Sequence, residues 1–204
     1  MKTNYQIQLD KEIESLQGER PRLLLHSCCG PCSSYVLEYL TQYFDVTLLW
    51  YNPNIYPEEE NEKRLFNQRK LIEGMGLSDQ VKILLLDYDH DRYLNAVSGL
   101  EAEPEGGERC TECFRLRMKE AARIASENGF ELFCTTLTVS PHKNAEKINR
   151  IGNELAEEYG VRFLPSDFKK RNGYKRSIEL SHEYDLYRQD YCGCEFAMDH
   201  ELEH

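Results

Sequence analysis

The chain has 204 residues, 36 acidic side chains against 25 Lys and Arg, and a formal charge of −11 at pH 7. With 40% hydrophobic and 30% charged residues, it is neither disordered nor collagen-like, and its length suits one domain with at most a small appendage. The acidic balance argues against a general polyanion binder but leaves room for local basic patches.

Met1 to Arg20 is polar and lacks the apolar block of an export signal, so secretion is not expected. Arg22 to His26 predicts a short buried strand that stops at Ser27-Cys28-Cys29-Gly30-Pro31-Cys32. Ser33 to Tyr43 predicts a helix and Val46 to Tyr51 a second strand, ended by Asn52-Pro53-Asn54. A charged helix is expected over Glu58 to Met75, with Leu65, Phe66, Leu71, Ile72 and Met75 as its inner stripe. Its opening Glu58-Glu59-Glu60 complements a helix N-terminus. Val81 to Leu86 predicts a third strand, and Asp89 can cap a helix running through Val97. After a polar loop, a helix is expected from near Cys110 to a stop at Asn128-Gly129. Glu131 to Leu137, Asn144 to Tyr159 and Val161 to Leu164 follow as strand, helix and strand. A basic loop over Asp167 to Gly173 leads into a helix to about Tyr184, then the Cys192-Gly193-Cys194 segment.

This alternation predicts an α/β fold, a mostly parallel Rossmann-like sheet flanked by helices. Residues 1–20 are expected to be an N-terminal extension, 21–196 a single domain, and 197–204 a tail. Leu202-Glu203-His204 resembles a vector-derived tag junction. No apolar run approaches the roughly 20 residues of a membrane-spanning helix, so no membrane attachment is expected. Ligands in such sheets bind beyond the carboxyl ends of the strands. That rim collects the first cysteines, Asn52 and Asn54, Asp87 and Asp89, Ser140, His142 and Lys143, and Asp167 and Lys169.

Eight cysteines are present, seven of them clustered as Cys28-Cys29-x-x-Cys32, Cys110-x-x-Cys113 and Cys192-Gly193-Cys194. Such clusters without an export signal point to metal or redox chemistry rather than structural disulfides. A C-x-x-C turn at a helix start aims both sulfurs one way, and the helix N-terminus favours thiolate. Seven sulfurs exceed the four that one zinc ion or one cubane cluster normally takes. Two centres, or one centre with a redox pair, fit the number better. A structural zinc site and a thioredoxin-like dithiol at Cys29-Gly30-Pro31-Cys32 remain open on spacing alone. Cys134, inside a strand, is expected to be a buried core residue.

The ordered motifs His26-Ser27-Cys28-Cys29-Gly30-Pro31-Cys32-Ser33, Tyr51-Asn52-Pro53-Asn54-Ile55, Arg109-Cys110-Thr111-Glu112-Cys113-Phe114-Arg115-Leu116-Arg117, Ser140-Pro141-His142-Lys143-Asn144, Asp167-Phe168-Lys169-Lys170 and Leu186-Tyr187-Arg188-Gln189-Asp190-Tyr191-Cys192-Gly193-Cys194 closely resemble the cobalamin-independent epoxyqueuosine reductases, the QueH type. The likeness runs from about Pro21 to Phe196. His142 departs from it, standing where an aromatic residue is expected. The resemblance implies a HUP-related fold with a cysteine-rich C-terminal segment, located in the cytoplasm. It implies reduction of epoxyqueuosine to queuosine at the tRNA wobble position, with a [4Fe–4S] cluster and a nearby mononuclear iron. The metal ligands would be Cys28, Cys29, Cys32, Cys110, Cys113, Cys192 and Cys194, with their division between the two centres open. The partners would be tRNA carrying epoxyqueuosine and an electron donor such as a ferredoxin or flavodoxin.

The chemistry needs two electrons and two protons. A cluster passes electrons singly, and an iron with an open position polarises the C–O bond. Asp89, Asp167, His26 and Tyr191 are candidate proton donors. Asn52, Asn54, Ser140, Lys143, Lys169 and Arg176 are candidate substrate contacts. The basic run Lys169, Lys170, Arg171, Lys175 and Arg176 is the leading candidate for phosphate contact. Arg109, Arg115, Arg117, Lys119 and Arg123 form a second basic group, for which a solvated helix face is the plain alternative. Two rival readings stand beside this one: a nucleotide-binding sulfur-transfer enzyme of the same broad fold, and a zinc-stabilised RNA-binding module.

Overall fold

Runs of apolar residues in a short strand demand cover on both faces, and the central strands here receive it. β1 (Arg22–Ser27), β2 (Asp45–Trp50), β3 (Lys82–Leu85), β4 (Leu132–Thr135) and β5 (Arg162–Phe163) form one sheet in the order β3-β2-β1-β4-β5, with every neighbouring pair parallel. The helices are α1 (Tyr5–Ser15), α2 (Gly30–Leu40), α3 (Glu58–Gly74), α4 (His90–Ala96), α5 (Glu108–Glu127), α6 (Ala145–Tyr159), α7 (Gly173–Glu183) and α8 (Glu195–Met198). This computed structural model describes residues 3–198; the tag reading at Leu202-Glu203-His204 lies outside them.

Successive strand residues point to opposite faces. Leu23, Leu25, Leu48, Trp50, Leu132 and Cys134 pack on one side with Val36, Leu37 and Leu40 of α2 and Leu71 and Ile72 of α3. Leu24, Leu49 and Phe133 pack on the other with Met118 and Ala121 of α5 and Ile148 and Ile151 of α6. Cys134 is 1% exposed, the core residue expected. The chain winds from β1 to β3 in one direction, then resumes with β4 on the other side of β1. The loop after β1, which carries the first cysteines, therefore sits where the winding reverses, the place where such sheets bind ligands.

Element ends follow local chemistry. Asn144 caps α6 by accepting the Lys147 N–H at 3.1 Å. α5 stops at Asn128, and Gly129 takes the left-handed φ of +66° that ends a helix cleanly. The acidic residues Glu58, Glu59 and Glu60 occupy the first turn of α3.

Two expectations need correction. The strand expected to reach Leu137 ends at Thr135, because Thr136–Val139 turns into a 3₁₀ segment whose Leu137 N–H binds Thr135 Oγ1 at 3.2 Å. Within the N-terminal extension, α1, capped by Asn4, places Leu9 fully inside the core. Phe66 does not belong to the inner stripe of α3 but is 66% exposed, while Asn61, Arg64, Asn67 and Gln68 face inward. The physical reason is what α3 covers: its early turns lie over polar cysteine segments, and its last turns over the apolar core.

Candidate metal centre

Ser27 ends β1, and Cys29 is the N-cap of α2. Its Sγ accepts the Cys32 N–H at 3.2 Å, and Pro31 sits in the first turn, where its missing N–H costs nothing. The helix start thus offers backbone dipoles to negative sulfur. The sulfurs of Cys28, Cys29 and Cys32 lie within 4.8 Å of one another. Cys29 and Cys32 are joined as a disulfide, while Cys28, Cys110, Cys113, Cys192 and Cys194 are free thiols. A disulfide and a pair of metal-ligating thiolates are two redox states of the same two sulfurs.

The first turns of α5 bring the second pair. Cys110 Sγ accepts the Gly106 N–H at 3.2 Å, and Cys113 is 7% exposed. Burial pushes the Cys113 thiol up to about 12; the nearby Arg117 charge opposes this, and Cys192, Cys194 and Cys110 add to it. Burial likewise raises Cys194, with Cys192 adding to the effect. The second and third cysteine groups therefore feel one another, and Arg117 feels Cys113, Cys28 and Cys192. In the reduced, metal-free protein burial keeps the Cys113 and Cys194 thiols protonated, so metal binding there releases protons.

Two buried guanidinium groups flank the thiols. Arg117 is 2% exposed, donates from Nε to the Cys113 carbonyl at 3.2 Å, and leaves Nη2 without a partner. Arg109, also 2% exposed, binds the Glu101 carbonyl at 2.6 Å and the Glu103 carbonyl, leaving Nε and Nη2 unpartnered. Among the described residues, neither forms an ion pair with a carboxylate. Buried cations and unpartnered N–H donors are costly unless something anionic meets them. Soft sulfur donors surrounded by such groups suit a metal centre held by anionic thiolates.

A cavity of about 350 Å³ opens beside this cluster, lined in part by Cys28, Cys32, Cys192, Ser140, Lys143 and Tyr191. Three of the expected catalytic or substrate-binding residues, Ser140, Lys143 and Tyr191, thus share its wall. Lys143 is held protonated: burial opposes its charge, but Cys192 and Cys28 outweigh that and raise its pKa. Burial raises Tyr191, whose hydroxyl donates to the Tyr56 carbonyl at 2.8 Å.

The other expected residues lie elsewhere. His26 is fully buried, its Nδ1 3.0 Å from Thr135 Oγ1 and its Nε2 3.2 Å from the Tyr51 carbonyl. Burial and the Arg117 charge lower its pKa to about 3, so the ring is neutral and ties β1 to its neighbours. Asp89 is exposed and caps α4 through the Arg92 N–H at 3.1 Å. Asp167 pairs with Lys169 at 2.9 Å. Asn52 donates to the Ser27 carbonyl at 2.9 Å, which braces the cysteine turn; its Oδ1 and that of Asn54 are buried without partners. Arg176 is held by Glu38 at 2.6 Å and Arg171 by Asp10 at 2.5 Å, so acidic neighbours offset much of that basic run.

The second basic group divides. Arg115, Lys119 and Arg123 pair with Glu154, Glu158 and Glu120 on the surface, whereas Arg109 and Arg117 turn inward beside the thiols. Their four-residue spacing from Cys113 on either side was the available signal, since i and i+4 share a helix face. Arg64 and Gln68 had no such signal and were missed.

A family model described as "QueH: Epoxyqueuosine reductase QueH" matches residues 23–200. The Epoxyqueuosine reductase QueH of Streptococcus pyogenes serotype M1 is 43% identical, covering 97% of this chain and 80% of the relative. That of Staphylococcus epidermidis is 44% identical, covering 96% and 85%. That of Thermotoga maritima is 34% identical, covering 86% and 90%. The crystal structure of a predicted subunit of tRNA methyltransferase from Methanocaldococcus jannaschii superposes with a TM-score of 0.53 at 13% identity, covering 80% of this chain and 75% of that one. That likeness concerns the fold alone, a parallel sheet flanked by helices. The match over nearly the whole chain, with the cysteine turn at the reversal point of the sheet, gives one conclusion: the chain belongs to the epoxyqueuosine reductase QueH family and is an oxidoreductase.

Proposed function

We propose that this chain reduces epoxyqueuosine to queuosine at the wobble position of tRNA in the cytoplasm, using a [4Fe–4S] cluster and a mononuclear iron. The observation that carries this reading is the meeting of the free thiols with the buried, carboxylate-free Arg117 beside one cavity. Cys28, Cys29, Cys32, Cys110, Cys113, Cys192 and Cys194 would hold the two centres, with Cys29 and Cys32 in reduced form. Bound there, these centres would supply single electrons and a Lewis acid for the epoxide oxygen. The net reaction consumes two electrons and two protons, breaks both C–O bonds of the epoxide, forms a C=C bond and releases water.

The chain's own groups supply binding and protons. Of the four candidate donors, Tyr191 is the one on the cavity wall, and its raised pKa keeps the phenol proton in place for donation. The Lys143 ammonium on the same wall stabilises negative charge on a departing oxygen. Ser140 and Gln189 offer further hydrogen bonds to the base or its ring hydroxyls. Asn52 and His26 act indirectly by fixing the end of β1, and Asp89 by holding α4. A ferredoxin or flavodoxin would deliver electrons from outside. No helix among the described residues is long and apolar enough to cross a membrane.

Purification without oxygen, followed by an assay on tRNA carrying epoxyqueuosine, tests the reading. Iron, acid-labile sulfide and conversion to queuosine are expected. Zinc alone with no conversion would favour the RNA-binding module.

The tRNA surface is expected at the cavity mouth rather than on the largely paired run of Lys169, Arg171 and Arg176. Arg188 lines the cavity, is exposed, and among the described residues forms no ion pair. Arg188→Gln is expected to weaken tRNA binding and to lower the salt slope by about 1. Arg176→Gln should change both less, because Glu38 already holds that charge. Binding titrations at several salt concentrations measure the difference, and equal effects would move the RNA surface back to α7.

A further inference from the structure

The polar inner face of α3 touches two separate cysteine segments. Toward the first, Gln68 Oε1 accepts hydrogen bonds from Ser27 Oγ at 3.0 Å and Ser33 Oγ at 2.7 Å, the hydroxyls on either side of the turn. Toward the second, Asn67 Oδ1 accepts the Tyr187 N–H at 2.8 Å. Arg64, 1% exposed, donates from Nη1 to the Cys192 carbonyl at 3.2 Å and from Nη2 to the Tyr191 carbonyl at 3.4 Å. Its Nε meets Glu60 at 2.7 Å, and the Tyr187 hydroxyl donates to the same carboxylate at 3.2 Å.

Residues 186–194 form neither helix nor strand, so no backbone ladder of their own fixes Cys192 and Cys194. Gly193 has a φ of +119°, and a Cβ there would come within 2.9 Å of Arg64 Nη1. The Gly193 carbonyl in turn accepts the Tyr56 N–H at 2.8 Å. The segment is thus bent tightly around a guanidinium that reaches it from another element.

We infer that Arg64 is a positioning residue, a clamp on the Tyr191 and Cys192 carbonyls that holds Cys192 and Cys194 in register with Cys28, Cys110 and Cys113. A plain buried ion pair with Glu60 would not require the remaining N–H groups to aim at consecutive carbonyls of an irregular segment. Nor would it require glycine at the residue after them. The inference rests on reading the thiols as one site. Its deciding readout, thiol alkylation, uses neither metal nor substrate, so its failure would leave the epoxyqueuosine reading standing.

The experiment alkylates the reduced, metal-free full chain and follows each cysteine by mass spectrometry, with a phosphine as reductant. In Arg64→Met, Cys192 and Cys194 are expected to react faster by about tenfold or more, the scale of losing charge-assisted hydrogen bonds from a local opening equilibrium. Cys28 and Cys113 should keep their wild-type rates, and Arg64→Lys should fall between the two proteins. After anaerobic reconstitution, the visible and electron paramagnetic resonance spectra of Arg64→Met should differ from wild type. If Arg64→Met does not fold, Arg64→Lys, which keeps the charge but cannot reach both carbonyls, carries the test with the same selective pattern at a smaller size. Wild-type rates at Cys192 and Cys194, or an equal rise at every cysteine, would overturn the clamp.

Discussion

Cys113→Ala is expected to yield a folded chain that retains less iron and turns over more than about a hundredfold slower, beyond the cost of losing a group that only supports a ligand. Cys113 sits on a long helix, is almost fully buried, and shares one buried cluster with Cys194, against which Cys192 packs. Removing its sulfur deletes the point where two cysteine groups meet. The fold should survive, because the side chain is small and the variant costs about 1 kcal/mol or so in packing. Cys134→Ala is the matched control. Its sulfur points at the Leu164 carbonyl, 3.4 Å away within the sheet core, and its loss should cost stability but neither iron nor turnover. Iron and sulfide content and single-turnover rates on modified tRNA measure both variants. Full iron and full turnover in Cys113→Ala would remove it from the ligand set.

The central strands were legible because burial on both faces leaves a continuous apolar run, as in Leu23-Leu24-Leu25. From the order of those strands, the rim followed, and with it the cysteine turn at the reversal point. What periodicity could not show was which polar residues are buried. A hydrophobic stripe was expected to carry Phe66 inward, yet α3 turns Arg64 and Gln68 in and Phe66 out. Apolar periodicity reports cover over an apolar core, and the early turns of α3 cover hydrogen-bonding backbone instead. The basic residues of α5 misled for a related reason: charge suggests solvent, but Arg109 and Arg117 face thiols. The short α8 also escaped notice; its Glu195 binds His90 at 2.8 Å, an attachment between distant segments that local sequence does not encode.

Arg117 carries the second large effect, and its sign depends on what fills the site. In the metal-free chain, the guanidinium is buried with one donor unpartnered and no carboxylate to offset it. Arg117→Met keeps the length and removes the charge. Replacing a poorly compensated buried charge with an apolar side chain is expected to leave the metal-free protein unchanged or more stable, by about 1–4 kcal/mol. With iron bound, the same substitution removes a cation from beside anionic sulfur, so the loaded protein should release iron faster to a chelator and lose turnover. Melting curves of both forms, with a chelator time course, read the two signs separately. A guanidinium serving only to pack α5 would lower stability in both forms alike. Opposite movements would instead mark a charge that opposes the empty fold and is retained for the negative centre it faces.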